Sequence, residues 1–224
     1  MMNLETAVDC FKFKERACIL RLQSFFRYNP ALPWIRQMDN LTHNKRLSGN
    51  IFLVGMMGAG KTTIGKMLAR QMEKVFVDSD EEIKKRTGVS IPHIFDIEGE
   101  AGFRHREASV IQELVQHTNM VLATGGGAVL NEQVRETLTG NGIVVYLRST
   151  AHDLWHRTRH DRNRPLLQTA DPYARLKELH RQRDPIYTSM ADLIEPTGKQ
   201  TPQTLVMHLA AELNRLTEQL APNN

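Results

Sequence analysis

The chain has 224 residues, 41% hydrophobic and 24% charged, enough for one domain with its own core plus an appendage. No apolar run approaches the ~18–20 residues that a membrane-spanning helix needs, so no membrane partner is expected. The net charge of +4 sits in the first segment, where residues 1–50 hold 8 of the 29 basic and 4 of the 25 acidic residues, leaving the remainder balanced. A neutral body does not carry a nucleic-acid footprint, so no nucleic acid is expected either.

Both cysteines, Cys10 and Cys18, also lie in that segment, which excludes a disulfide framework or a cysteine metal site elsewhere and suits a reducing cytoplasm. Met1–Tyr28 has the pattern of a basic, partly amphipathic helix that Asn29-Pro30 and Pro33 would break. Glu5, Asp9 and Glu15 argue against a transit peptide, and a secretory layout is missing. Residues 1–49 are therefore read as a dispensable extension, with Met38 as a workable start ahead of a polar lead-in.

Ile51–Val54 is a short, continuous apolar run, as expected of a strand buried on both faces of a parallel sheet. It leads into Gly55-Met-Met-Gly58-Ala59-Gly60-Lys61-Thr62-Thr63, and then into a helix carrying Ile64, Met67, Leu68 and Met72 at helical spacing. Glycines there let the backbone approach a ligand, and loop amides with the helix N-terminus concentrate positive potential for phosphate oxygens. In this context Lys61 reaches the β and γ phosphates of a nucleoside triphosphate and Thr62 takes a Mg²⁺ position.

Val75–Asp78 reads as a second buried strand ending in carboxylates, and Asp78 and Asp80, alternate residues of an extended segment, are expected on one face toward the phosphates. Ile91–Ile97 reads as a short helix, and Gly99-Glu100 leads into a longer one over Ala101–Gln116 with Phe103, Val110, Ile111 and Leu114 as its buried stripe. Arg104 and Glu107, three apart, are neighbours there; taken alone they read as a surface salt bridge.

Met120–Thr124 forms a third apolar run ending in Gly125-Gly126-Gly127-Ala128, where close approach of backbone to ligand outweighs a bland turn. Ile143–Leu147 is a fourth strand and His152–Thr158 a helix. Arg157, Arg159, Arg162 and Arg164 then crowd a polar stretch ending at Pro165-Leu166-Leu167, suited to closing over phosphates. Pro172–Met190 reads as a helix interrupted near Pro185, with Tyr173, Leu176, Leu179, Ile186 and Tyr187 as its packing face. Ala191–Ile194 is a weak fifth strand and Thr204–Leu216 a closing helix.

Taken together, these motifs resemble shikimate kinase. Gly55-x4-Gly60-Lys61-Thr62, Asp78-Ser79-Asp80, Phe103-Arg104-x-x-Glu107, Gly125-Gly126-Gly127-Ala128, Arg164-Pro165-Leu166-Leu167 and Arg183-x-Pro185-Ile186-Tyr187 occur in that family's order and spacing, from about Asn50 to near the C-terminus. The resemblance implies an α/β fold: a three-layer P-loop kinase with a five-stranded parallel sheet like that of nucleoside monophosphate kinases. A substrate-binding region at about 81–110 and a lid at about 159–170 go with it.

It further implies ATP-dependent phosphorylation of the 3-hydroxyl of shikimate, in aromatic amino-acid biosynthesis, by a cytoplasmic monomer. By resemblance, Gly58, Ala59, Gly60, Lys61, Thr62 and Thr63 cradle the phosphates, with Lys61 on the transferring group. Thr62 holds Mg²⁺ and Asp78 reaches it through water. Asp80 bonds the substrate hydroxyls, including the attacking one. Arg104, Arg183 and the amides near Gly126 and Gly127 hold the carboxylate, Arg164 is the lid arginine, and Arg157 lies against adenine.

The chemistry is consistent with this, because a small polyol carboxylate needs cationic forks for its charge and a carboxylate for its hydroxyls. Ser79 stands where the family commonly has Thr, and His105 where it often has a second Arg. The alternatives are a kinase for another small hydroxy acid such as gluconate, a nucleoside monophosphate kinase, or a non-catalytic nucleotide-binding module.

Overall fold

The computed structural model describes residues 49–161, 164–198 and 200–220. The helix expected over Met1–Tyr28, and Arg162 of the arginine-rich stretch, lie outside them. Five strands, β1 (Ile51–Val54), β2 (Val75–Asp78), β3 (Met120–Ala123), β4 (Ile143–Arg148) and β5 (Leu193–Pro196), form one parallel sheet in the order β2-β3-β1-β4-β5. Seven α-helices connect and flank them among the described residues: α1 (Lys61–Gln71), α2 (Ser79–Thr87), α3 (Ile91–Leu114), α4 (Glu132–Asn141), α5 (Ala151–Thr158), α6 (Pro172–Met190) and α7 (Pro202–Leu220).

The three central strands are continuous apolar runs because helices cover both faces of a parallel sheet. Phe52, Leu53, Val54, Val121, Leu122, Val144, Val145 and Leu147 are all fully buried there. Each such side chain is worth about 1.5–3 kcal/mol relative to leaving it in water. Register decides where the chemistry falls. Leu53 pairs with Ala123, Ala123 with Asp78 and Val54 with Tyr146, so the loops after β1, β2 and β3 leave the sheet at one end.

Several sequence expectations need correction. β2 is an edge strand rather than a buried one, and Val75 is 63% exposed because it has a neighbour on one side only. The extended segment stops at Asp78, so Asp80 shares a site with it for another reason: Asp78 is the N-cap of α2, its side chain accepting from the amides of Asp80 and Glu81. Such a cap contributes about 1 kcal/mol.

Helix α6 runs through Pro185 without interruption, giving up the one amide that proline lacks while Leu176, Leu179, Arg183, Tyr187 and Met190 pack inward. β5 begins two residues later than expected, and α7 extends beyond both expected ends. The expectation of two helices around Gly99 holds: Gly99 takes the non-helical φ 68°, ψ −177°, which glycine tolerates, so α3 is two helical segments meeting at a kink there. Among the described residues no helix is long and apolar enough to cross a membrane.

Candidate active site

The loop after β1 is a phosphate-binding cradle with its donors free. Helices α2 to α6 each begin with a side-chain cap, from Asp78, Ser90, Asn131, Thr150 and Asp171, whereas α1 begins at Gly60 with none. The first amides of α1, from Lys61, Thr62 and Thr63, are therefore left for an external acceptor. Gly58 takes φ 79°, and a Cβ there would lie 2.6 Å from the Thr158 methyl, so the loop has room only for glycine. Ala59 is buried and turns the loop by donating its amide to the Met56 carbonyl at 3.2 Å.

Lys61 lies along the loop, donating Nζ to the carbonyls of Gly55 (2.7 Å) and Met56 (3.0 Å). Burial lowers its pKa to about 8, against the opposing pull of Asp80 and Asp78, and the nearby Arg164 lowers it further. Anionic phosphate oxygens would restore a fully charged ammonium. Thr62 donates its hydroxyl to Asp78 Oδ2 at 2.8 Å, so the two residues expected at the metal place a hydroxyl and a carboxylate side by side. Oxygen donors of that kind suit a hard cation such as Mg²⁺.

Arg157 closes the side of the cradle, its Nη1 donating to the Gly58 carbonyl at 3.1 Å with Thr197 Oγ1 at 3.5 Å. Arg164 pairs with Asp161 at 2.9 Å, at the start of the short 3-10 turn Pro165–Leu167.

The acceptor side gathers around the glycine turn after β3. Ser79, fully buried, accepts the Gly125 amide at 3.0 Å, which ties the turn to the acidic segment. A Cβ on Gly125 would lie 2.0 Å from Glu107 Oε1 and 2.8 Å from Asp80 Oδ1, and one on Gly127 would lie 2.1 Å from Arg104 Nη2. Those three side chains occupy the space the missing Cβ atoms leave.

Arg104 is held by Glu107 Oε2 at 2.6 Å and by Glu100 at 3.0 Å, and Arg183 Nη1 reaches the Gly126 carbonyl at 3.3 Å. Burial works to lower the pKa of Arg104, but Glu107 and Glu100 outweigh it and raise it. For Arg183 burial wins and lowers it.

Glu107 carries no site role in the sequence reading, which takes it as a surface partner of Arg104. Its pair with Arg104 is no surface bridge, since Glu107 is 1% exposed. Burial raises its pKa to about 7, opposed by Arg104 and reinforced by Asp80. Burial, then the charge on Asp78, also raises Asp80. The available signal was spacing: Glu107 sits four residues after Phe103 and three before Val110, inside the apolar stripe of α3. His105, one of the two departures from the family pattern, is exposed and lines a groove with Arg86 and Ser109 between α2 and α3, away from the glycine turn.

Asp80 Oδ1, Glu107 Oε1 and Arg183 Nε are buried with no hydrogen-bond partner among the described residues. Buried polar atoms are seldom left so, and two acceptors and a cationic donor around one turn match a ligand bearing both hydroxyls and an anionic group. The structure thus brings Lys61, Thr62, Asp78, Asp80, Arg104, Gly126, Gly127 and Arg183 to one end of the sheet, with Arg157 and Arg164 at the phosphate side.

The comparisons with known proteins agree. The family model described as shikimate kinase matches residues 57–214. The chain is 58% identical over 170 residues to the shikimate kinase of Nitrosospira multiformis, covering 76% of this chain and 87% of that one. It is 56% identical over 169 residues to that of Chromobacterium violaceum, covering 75% and 92%.

Among solved structures it resembles shikimate kinase from Acinetobacter baumannii in complex with shikimate, with a TM-score of 0.71, 43% identity, and coverage of 78% of this chain and 96% of that one. A gluconokinase from Sinorhizobium meliloti, at 19% identity and a TM-score of 0.50, shares the fold alone. The chain belongs to the shikimate kinase family.

Proposed function

We propose that the chain transfers the γ-phosphoryl group of ATP to the 3-hydroxyl of shikimate, giving shikimate 3-phosphate and ADP. The observation that carries this reading is the set of unpartnered buried atoms, Asp80 Oδ1, Glu107 Oε1 and Arg183 Nε, facing one glycine turn beside the phosphate cradle. The relative solved with shikimate supports the choice of acceptor.

Arg104, Arg183 and the amides of Gly126 and Gly127 hold the substrate carboxylate, and no described residue takes either amide. Asp80 accepts a hydrogen bond from the attacking hydroxyl and orients it. Its raised pKa also makes it a better late proton acceptor than an ordinary aspartate. Lys61 and the first amides of α1 hold the transferring phosphoryl group, and Arg164 leaves Asp161 to neutralise charge on it. Thr62 and Asp78 are the residues that would hold Mg²⁺, which would supply charge neutralisation at the phosphates. Arg157, beside Thr197, packs on the adenine.

The enzyme acts as a cytoplasmic monomer, with the lid at about residues 159–170 and residues 1–49 outside the catalytic body. Phosphorus-31 NMR of the product, after incubation with ATP, Mg²⁺ and shikimate, tests the reading: one new phosphate monoester on the 3-oxygen is expected. A phosphate on another oxygen, or only inorganic phosphate, overturns it.

A further inference from the structure

Tyr187 has no part in the proposed chemistry, yet it is fully buried, one helical turn after Arg183 on α6, and its hydroxyl donates to the Gly126 carbonyl. Its ring packs against Tyr146 at a tilt of 32°, with centroids 4.9 Å apart. Tyr146 in turn donates to Asp184 at 2.7 Å, and Asp184 accepts from Arg148 Nε and Nη2 at 2.9 and 2.7 Å. Met56 of the phosphate loop touches the same hydroxyl, with Sδ at 3.8 Å.

Packing alone would be served by phenylalanine, so the hydroxyl calls for a separate account. The Gly126 carbonyl and the Gly127 amide belong to one planar trans peptide, in which C=O and N–H point in opposite directions. Holding the carbonyl toward Tyr187 therefore aims the Gly127 N–H away from it, and the Arg104 guanidinium fills the space beside the Cα of the same glycine. The rest of the turn is pinned too, since Gly125 N–H goes to Ser79 and Gly125 C=O to the Ala128 amide at 3.2 Å.

The Gly126 carbonyl has a second donor, Arg183 Nη1 at 3.3 Å. If Arg183 turns to a substrate carboxylate, that half-buried carbonyl loses a partner, and an acceptor shielded from water and left bare is costly. The Tyr187 hydroxyl keeps it satisfied. Burial drives the phenol's pKa well above its ordinary range, so the hydroxyl stays a donor at any working pH.

The geometry points to Tyr187 as a positioning residue for the acceptor: its hydroxyl fixes the Gly126–Gly127 peptide so that the Gly127 amide faces the shikimate carboxylate, and it releases Arg183 to bind the same group. This rests on the reading of Arg104, Arg183 and the glycine amides as the carboxylate site.

Tyr187→Phe keeps the ring and removes the hydroxyl. The shikimate KM is expected to rise roughly ten-fold, the effect of one hydrogen bond, while the ATP KM stays within about two-fold. In ¹H–¹⁵N spectra the Gly127 amide of the wild-type chain should shift on adding shikimate, and in the variant that response should shrink. Equal rises in both KM values would mean a merely structural role and overturn the inference.

An unchanged shikimate KM in Tyr187→Phe, with Arg183→Lys raising it and the wild-type Gly127 amide responding, would overturn the inference and leave the carboxylate reading standing. An inert Gly127 amide together with an unchanged KM in Arg183→Lys would remove both. Should the variant not fold, a wild-type chain labelled with 3-fluorotyrosine decides: its Tyr187 ¹⁹F resonance must move on adding shikimate, and a fixed resonance overturns the inference.

Discussion

Around Gly58–Thr63 the ligand-facing groups are backbone amides and one lysine from a single unbroken stretch. Around Gly125–Gly127 they are side chains from α2, α3 and α6 that meet only because the sheet brings the ends of β2 and β3 to one level. The phosphate half can hold any ligand that presents phosphate oxygens and therefore says little about the acceptor. The acceptor half depends on distant packing, and its unpartnered buried atoms suit a ligand with hydroxyls and an anionic group. A locally built site tolerates change elsewhere in the chain, whereas one assembled from several elements fails when any of them shifts.

Changes confined to one half should leave the other nearly untouched, and the largest such effect is expected at Asp80. Asp80→Asn should lower kcat by roughly a thousand-fold or more while ATP still binds, because the hydroxyl loses both its orienting carboxylate and its proton acceptor. Nucleotide fluorescence titration beside steady-state assays separates the two, and normal turnover would mean that the acceptor half is misplaced. Arg104→Ala comes next. Loss of a charge-assisted bond of about 1.5–3 kcal/mol should raise the shikimate KM roughly ten- to a hundred-fold, with a much smaller change for ATP. Similar rises for both substrates would erase the distinction between the halves.

Glu107 sharpens the comparison through pH. Its pKa of about 7 means that raising the pH through 7 charges it and strengthens its claim on Arg104, which on the proposed reading the substrate carboxylate also needs. Shikimate affinity should therefore weaken several-fold between pH 6 and 8, and Glu107→Gln should flatten that slope. Calorimetric titration of shikimate across this range checks it.

The same shift bears on folding. A carboxyl held above its ordinary 4.5 binds its proton more tightly in the folded chain, so its contribution is fully present below about pH 4.5 and is lost as pH rises through about 7. Melting temperatures of wild type and Glu107→Gln should diverge in slope over that interval. The smallest effect is reserved for the N-terminal segment: a chain starting at Met38 should keep kcat and both KM values within about two-fold, and an insoluble or inactive truncation would give residues 1–37 a role in the catalytic body.

How much of this was legible in the sequence follows the same division. The central strands announce themselves as apolar runs because both of their faces are buried, and the cradle because its glycines, lysine and threonine are contiguous. Edge strands are harder to read: Val75 is exposed, and β5 carries the buried Glu195, whose partners, Gln200 and His208, lie outside the strand.

Pro185 misled because propensity argues for a break where tertiary packing of α6 keeps the helix whole. Glu107 and Arg183 both sit within apolar stripes, on α3 and α6, where a charged residue signals a buried role. The spacing gave their positions, but only the fold shows that both stripes face one glycine turn. The Tyr187 hydroxyl was beyond sequence reading, since nothing in the helical pattern separates a packing tyrosine from one that holds a peptide plane.

The acceptor identity is tested most directly by coupled measurement of ADP release with shikimate, gluconate or a nucleoside monophosphate as the second substrate. ADP should form rapidly with shikimate and only at background with the others. ADP release that does not depend on shikimate, or none with any of the three, would contradict the account.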